Sequence, residues 1–187
     1  MAKKGLLVIS GMDRVGKDTY ITYRENLDED GIYHFHEEVK DRPDYRDNKK
    51  WIEFLTNWAR NQKDDLVAIR DKPEIKGMFM CRLGLDDDVY CTLFKRDFIQ
   101  RQFNKEIEEH YDVHYVAFLW KDYESYINRL KLIGDDIENP EYSREEFYRV
   151  KELYKQFAPL YDTKILELSG DEKVEDIHAQ IEAFYKF

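Results

Sequence analysis

Gly11, Gly16 and Lys17, in the string GMDRVGKDTY of residues 11–20, have the types and spacing to hold phosphate. In a Gly-x-x-x-x-Gly-Lys run the backbone amides, here including that of Val15, curl around phosphate oxygens. The lysine adds a point charge, and a helix that starts there adds the positive end of its dipole. The residue after such a lysine is ordinarily Ser or Thr, whose hydroxyl ligates magnesium. Here it is Asp18, followed by Thr19. A carboxylate is also a hard oxygen ligand, so Asp18 is the candidate Mg2+ ligand, directly or through water, and Thr19 offers a hydroxyl beside it. The cost is repulsion between the carboxylate and the nucleotide phosphates, relieved when the cation sits between them. A decayed loop would not be expected to keep both glycines and the lysine, so the string reads as a working variant rather than a Gly-containing turn.

Such a loop functions only between a strand and a helix. The apolar run Leu6 to Ser10 precedes it and an amphipathic stretch, Asp18 to Asp28, follows. Ile32 to Phe35, Met78 to Cys81, Val113 to Leu119 and Lys164 to Leu168 read as further buried strands, short and rich in aliphatic or aromatic residues. Helical patterns lie between them. Lys49 to Asp71 holds one or two, with Trp51, Phe54, Leu55 and Trp58 on one face; Asp86 to Glu109, Tyr123 to Leu132, Ser143 to Phe157 and Val174 to Phe187 follow. Ser143 and Glu146 spell a capping box, and Phe147, Val150, Tyr154 and Phe157 then form one apolar stripe. This alternation predicts an α/β fold: a parallel sheet of about five strands with helices on both faces, binding ligands beyond the carboxyl ends of its strands.

At 187 residues the chain is expected to form a single domain, 1–187, with a full core. Its 40 acidic and 30 basic residues leave a net charge of −10, which disfavours stable binding to nucleic acid or to an anionic membrane. A small phosphorylated ligand is compatible with that charge, because a few cations converging on a pocket override it locally. Cys81 and Cys91 read as free, buried thiols, and the five histidines show no metal-ligand spacing. No apolar span approaches about 18 residues and no secretory core is present, so the expectation is a cytoplasmic protein.

The loop resembles that of thymidylate kinases, which read Gly-x-Asp-x-x-Gly-Lys followed by two hydroxyl residues; some phage deoxynucleoside monophosphate kinases, with Gly-Lys-Asp-Thr, are more similar still. Residues 127–158 resemble the family's lid and following helix, with Phe147, Val150, Tyr154 and Ala158 spaced as in its signature. FLTNWARNQ, residues 54–62, resembles the segment whose arginine contacts the nucleobase. MCRLGLDDDVY, residues 80–90, resembles its Asp-Arg strand end and the tyrosine beyond. The resemblance implies a P-loop NTPase fold with a small helical lid at about 132–143. It also implies an enzyme that transfers the γ-phosphate of ATP, with Mg2+, to a deoxynucleoside monophosphate, most readily dTMP or a related pyrimidine, and together with the apolar helices it suggests a homodimer.

Carried onto this sequence, the resemblance gives Lys17 and the loop amides to the donor phosphates, Arg14 to the transferring group, Asp13 to the acceptor, and Arg129 to the donor from the lid helix. Arg82 and Tyr90 would meet the acceptor phosphate and pocket. Arg60, with Phe54 or Trp58, would read or stack on the base; Phe54 and Trp58 fit a core role as well. Two departures stand out. Cys81 occupies the place of the aspartate expected before Arg82, and Asp86, Asp87, Asp88 and Asp18 are the candidates to replace it; the 86–88 run is first of all a helix N-terminus complementing its dipole. The stretch 134–138 lacks the basic residue that many bacterial members place there, and Arg14, inside the loop, accounts for it. His36-Glu37-Glu38 and Arg42 are weaker candidates at the acceptor. Phosphorylation of a deoxynucleoside, a modified nucleotide or a nucleic acid 5′ hydroxyl, and nucleotide binding without turnover, are the alternatives.

Overall fold

All five apolar runs are strands of one parallel sheet: β1 (Lys4–Gly11), β2 (Ile32–Phe35), β3 (Gly77–Cys81), β4 (Tyr111–Trp120) and β5 (Lys164–Leu168). The protein's structure is a computed structural model that describes residues 3–35, 43, 47–97, 100–138 and 140–187. The strand order is β2-β3-β1-β4-β5. The connections run through α1 (Lys17–Asn26), α2 (Asn48–Arg70), α3 (Gly84–Leu93), α4 (Gln100–His110), α5 (Tyr123–Ile133) and α6 (Arg144–Phe157), and α7 (Val174–Phe184) follows the last strand. Successive strand residues point to opposite faces, and Leu6 to Gly11 are all buried, so β1 is covered on both sides. The chain builds first to one side of β1 and then to the other, which makes the gap beyond Gly11, between the ends of β3 and β4, a topological switch point.

The chain departs from its sequence pattern in four places. Residues 86–109, expected as one helical stretch, form two helices: α3 ends at Leu93, Lys95 takes a left-handed conformation (φ 53°), and the chain turns before α4. Nothing in the amino-acid types marks that corner, because Lys95 is not a glycine. It is held by Arg96, buried between the rings of Trp51 and Phe94 and bonded through Nε to Asn48. In α2, one unbroken helix, the fully buried residues are Ala59, Gln62, Leu66 and Ile69; the expected stripe of Trp51, Phe54, Leu55 and Trp58 is only half-buried. At the C-terminus α7 stops at Phe184, and Tyr185 and Phe187 lie against Gly5 and Gly77, where a Cβ would collide with them.

The expected helical lid reduces to the ends of two helices. Residues 132–133 close α5, Gly134 caps it, and the described residues from 135 to 142 are irregular up to Ser143, which caps α6. The capping box is present: Ser143 Oγ accepts from the Glu146 amide and the Glu146 carboxylate accepts from the Ser143 amide. Among the described residues no helix is long and apolar enough to cross a membrane.

Candidate active site

At the end of β1 the chain passes so close to β4 that only glycine fits. A Cβ on Gly11 (φ 132°) would lie 2.1 Å from the Phe118 carbonyl oxygen, and the Met12 amide donates to that same oxygen. Val15 packs its side chain into the core, and Gly16, left-handed at φ 100°, caps α1 with no side chain in the way. Lys17 is therefore the first residue of α1. Its Nζ donates back to the carbonyls of Gly11 (2.8 Å) and Met12 (2.6 Å), so the loop itself partners the ammonium.

Asp13 organises the other half of the loop. Its Oδ1 accepts from Arg82 Nη2 at 2.8 Å; its Oδ2 accepts from the Tyr90 hydroxyl at 2.9 Å and from the Tyr142 hydroxyl, and the two phenol oxygens are 2.9 Å apart. The Asp13 carbonyl accepts from Trp120 Nε1 at the end of β4. Arg82 stands one residue past β3 in a left-handed conformation, φ 61°, a sparsely populated state for a side-chain-bearing residue that clusters at functional sites. Its amide bonds to Ile9 on β1, and so the turn is fixed to the sheet.

The charges are mutually dependent. Burial opposes ionisation of Asp13, but Lys17, Arg82 and the phenols of Tyr142 and Tyr90 outweigh it and hold the carboxyl below its usual range. Burial is likewise the largest single influence on the Arg82 guanidinium and works against its charge, but Asp13, Tyr90, Asp86 and Tyr154 together outweigh it, so Arg82 stays firmly protonated. Lys17 is lowered, chiefly by burial and then by Arg82, while Asp13 and Asp86 act the other way. Burial lifts the Cys81 thiol to about 12, so it is a neutral wall of the site.

These groups open onto one cleft of about 640 Å³. Asp13, Arg14, Gly16, Lys17, Asp18 and Thr19 line it from the loop and α1, Cys81 and Arg82 from β3, Arg129 and Ile133 from α5, and Glu141 from the connection after α5. The structure thus brings together most of the residues singled out by the loop motif and by the family resemblance. It does not bring Phe54, Trp58 or Arg60 to the cleft wall: Phe54 packs on Trp51, 5.5 Å between ring centroids, and Arg60 is exposed. Tyr90 reaches the site through Asp13 rather than by lining the cleft. Arg14 is exposed, with its Nε 3.1 Å from the Asp135 carboxylate of the connection. Residues 36–38 and 42 lie outside the described residues.

The run 86–88 does more than complement a helix dipole. Asp86 Oδ1 accepts from the Gly11 amide (3.2 Å) and the Tyr154 hydroxyl (2.7 Å), Asp87 from Asn104, and Asp88 from Tyr161. Sequence reasoning missed Tyr142, Asp135, Glu141 and Trp120. None is a signature position of the segments quoted above, and only the fold carries them to the loop; the one local signal, that Tyr142 precedes the cap of α6, says nothing of Asp13.

No protein-family model matches the chain, and comparison with curated proteins returned no match. Solved structures do match in fold. The YorR protein from Bacillus subtilis, in complex with phosphorylated GDP, aligns with a TM-score of 0.59 and 19% identity over 97% of this chain and 99% of that one. Deoxyadenosine kinase from M. mycoides with bound dATP aligns with a TM-score of 0.59 and 16% identity over 96% and 98%. The same enzyme with products dCMP and dCDP aligns at 0.54 and 15% over 95% and 99%. The chain therefore shares the α/β fold of these solved structures, a five-stranded parallel sheet with helices.

Proposed function

We propose that this protein is an ATP-dependent nucleoside or nucleotide kinase, and that its acceptor is a deoxynucleoside monophosphate, dTMP or a related pyrimidine being the leading candidate. One observation carries the reading: a phosphate loop whose Lys17 shares a single cleft with Arg14, Arg82 and Arg129. Phosphoryl transfer asks little covalent chemistry of a protein; it asks for two substrates in line, water excluded and the charge on the moving group neutralised. Lys17 and the amides of residues 13–17 would hold the donor phosphates, with Arg129 reaching them from α5. Arg14, the most exposed of the loop cations, would meet the transferring group. Arg82, held by Asp13, would take the acceptor phosphate.

Magnesium fits this donor set. Among the described residues no group of three or more His, Cys, Asp or Glu could hold a metal alone, whereas Mg2+ is commonly bound by one or two carboxylates together with substrate phosphates and water. Asp18, on the cleft wall beside Lys17, would be the protein ligand, and the cation would supply neutralisation of the phosphate charge. The acceptor assignment also rests on cations. A neutral hydroxyl acceptor would not need Arg82 in the cleft, while a monophosphate would. A deoxynucleoside acceptor is the second reading, favoured by the likeness in fold to deoxyadenosine kinase. A homodimer is proposed as the working assembly, checked by sedimentation.

The test is purified protein with ATP, Mg2+ and a panel of deoxynucleosides and their monophosphates, with ADP release measured. Stimulation by monophosphates and not by nucleosides is the expected result; the reverse favours the second reading. Nucleotide binding with no acceptor-stimulated ADP release would sink both. Lys17→Ala is expected to lower turnover by about 10² or more, through lost charge stabilisation of the phosphates.

A further inference from the structure

Asp86 is a buried carboxylate, 3% exposed, with one oxygen fully used and one not. Oδ1 accepts from the Gly11 amide and the Tyr154 hydroxyl. Oδ2 is buried with no hydrogen-bond partner among the described residues. A buried carboxylate oxygen without a partner is expensive unless something neutralises or hydrates it, so an oxygen left in that state beside the loop points to a partner that arrives with a ligand. Its surroundings say what kind. Asp86 stands in the first turn of α3, against the first residue of the phosphate loop, and its charge is felt by Lys17, Cys81 and Arg82. All three of those residues line the cleft.

The same position explains how the site works with a thiol at the end of β3. Cys81 is neutral and cannot offset the positive charge of Lys17 and Arg82. Asp13 is consumed by Arg82 and two phenols. Asp18 is exposed, in the first turn of α1, and lines the open cleft. Asp86 is bonded to the inner side of the loop, through the Gly11 amide.

We propose that Asp86 is a positioning residue that supplies the carboxylate charge absent at Cys81, with Oδ1 fixing Gly11 and Oδ2 accepting from a water carried by the magnesium of a bound nucleotide. It is not a direct ligand. The proposal rests on the kinase reading above, in that it takes a magnesium nucleotide as the ligand. It separates a clamp, which needs an oxygen, from a counter-charge, which needs a carboxylate.

Asp86→Asn distinguishes the two. Asparagine keeps an acceptor Oδ1 for the Gly11 amide and the Tyr154 hydroxyl but removes the charge and replaces Oδ2 by a donor. The measurement is ADP and ATP affinity by calorimetry, with Mg2+ and with EDTA, for the wild type, Asp86→Asn and the double variant Cys81→Asp/Asp86→Asn; thermal unfolding serves as the check on folding. The wild type is expected to gain tightly from Mg2+. Asp86→Asn is expected to unfold near the wild-type temperature yet to lose about tenfold or more of the Mg2+-dependent gain, the usual cost of removing a partner of a bound metal's shell. The double variant is expected to recover part of it. An Asp86→Asn protein with the wild-type Mg2+ gain overturns the proposal and leaves the kinase reading intact. A wild type that binds no nucleotide under either condition overturns both. Should Asp86→Asn fail to fold, Asp86→Glu takes its place: a carboxylate that restores the Mg2+ gain supports the counter-charge, and a folded Asp86→Glu with none of it opposes the proposal.

Discussion

Asp13 is the residue on which the loop turns, and its partners can be weighed one at a time. Hydrogen bonds to a charged group are worth roughly 1.5–3 kcal/mol each, but Tyr90 and Tyr142 share one oxygen and touch each other, so their contributions should not add. Tyr142→Phe is expected to cost about 1–2 kcal/mol, a fall of about 2–8 °C in the unfolding midpoint for a chain of this size. Tyr90→Phe should cost a similar amount, and the double variant less than the sum by about 0.5 kcal/mol or more. Strict additivity in that cycle would show that the phenols act separately. The cycle is best run at neutral pH. Because the Asp13 carboxyl is held below its usual value, its stabilisation is full above the ordinary carboxyl range and is lost only as pH falls through the lower folded value. Of this network Asp13, Arg82 and Tyr90 were legible in the sequence, since their motif neighbours marked them. Tyr142 was not: it sits 129 residues from Asp13, and no spacing rule links them.

At the scale of an element, α3 carries three consecutive carboxylates, and each ties a different part of the fold: Asp86 the start of the phosphate loop and α6, Asp87 α4, Asp88 the turn after α6. Helix periodicity explains why. Neighbouring positions are about 100° apart, so three in a row face three different surroundings. The sequence shows the run and the helix N-terminus but not which neighbour each side chain meets, because α4 and α6 come to lie against α3 only in the folded chain. Asp87 offers a measurement. Burial, with the charges of Asp86 and Asp88 adding to it, raises its carboxyl from 3.8 to about 7 despite the hydrogen bond from Asn104. A raised acid favours the folded state while protonated. That advantage is complete below the unfolded value and is lost as pH rises through the folded value, so the cost of ionisation grows between about pH 4 and pH 7 and is level above. Asp87→Asn keeps an acceptor for Asn104 and cannot ionise. Its unfolding midpoint relative to the wild type is expected to rise by several degrees, about 5 °C, between pH 5 and pH 8. A difference that stays constant across that range would show that Asp87 ionises without cost.

For the whole molecule the question is how a chain of net charge −10 would collect the polyanion that the kinase reading requires. The fold resolves it by topology. The loop follows the central strand, Arg82 follows β3, and α5 follows β4, so Arg82 and Arg129, far apart in sequence, join Arg14 and Lys17 at the carboxyl end of the sheet. At about 0.1 M salt, charges more than ~10 Å away are largely screened, and the local cations decide the interaction. Arg14 is the one of these that also holds the connection after α5, through its exposed ion pair with Asp135, and an exposed pair of this kind is worth no more than about 1 kcal/mol. Phosphate can therefore displace Asp135 cheaply, and a ligand filling donor and acceptor sides together should draw Arg14 inward at little cost. A deoxythymidine–adenosine pentaphosphate, which joins both nucleosides through one phosphate chain, avoids the second loss of translational freedom and should bind far more tightly than ATP or dTMP alone. At about a thousand times its dissociation constant it would stabilise the protein by ~4 kcal/mol, raising the midpoint by about 8–16 °C. Asp135→Asn should leave that rise intact or slightly larger, and Arg82→Ala should reduce it to near the value for ATP alone. If the linked compound protects no better than ATP, the acceptor does not sit across Arg14 from the donor, and the cleft holds one nucleotide rather than two.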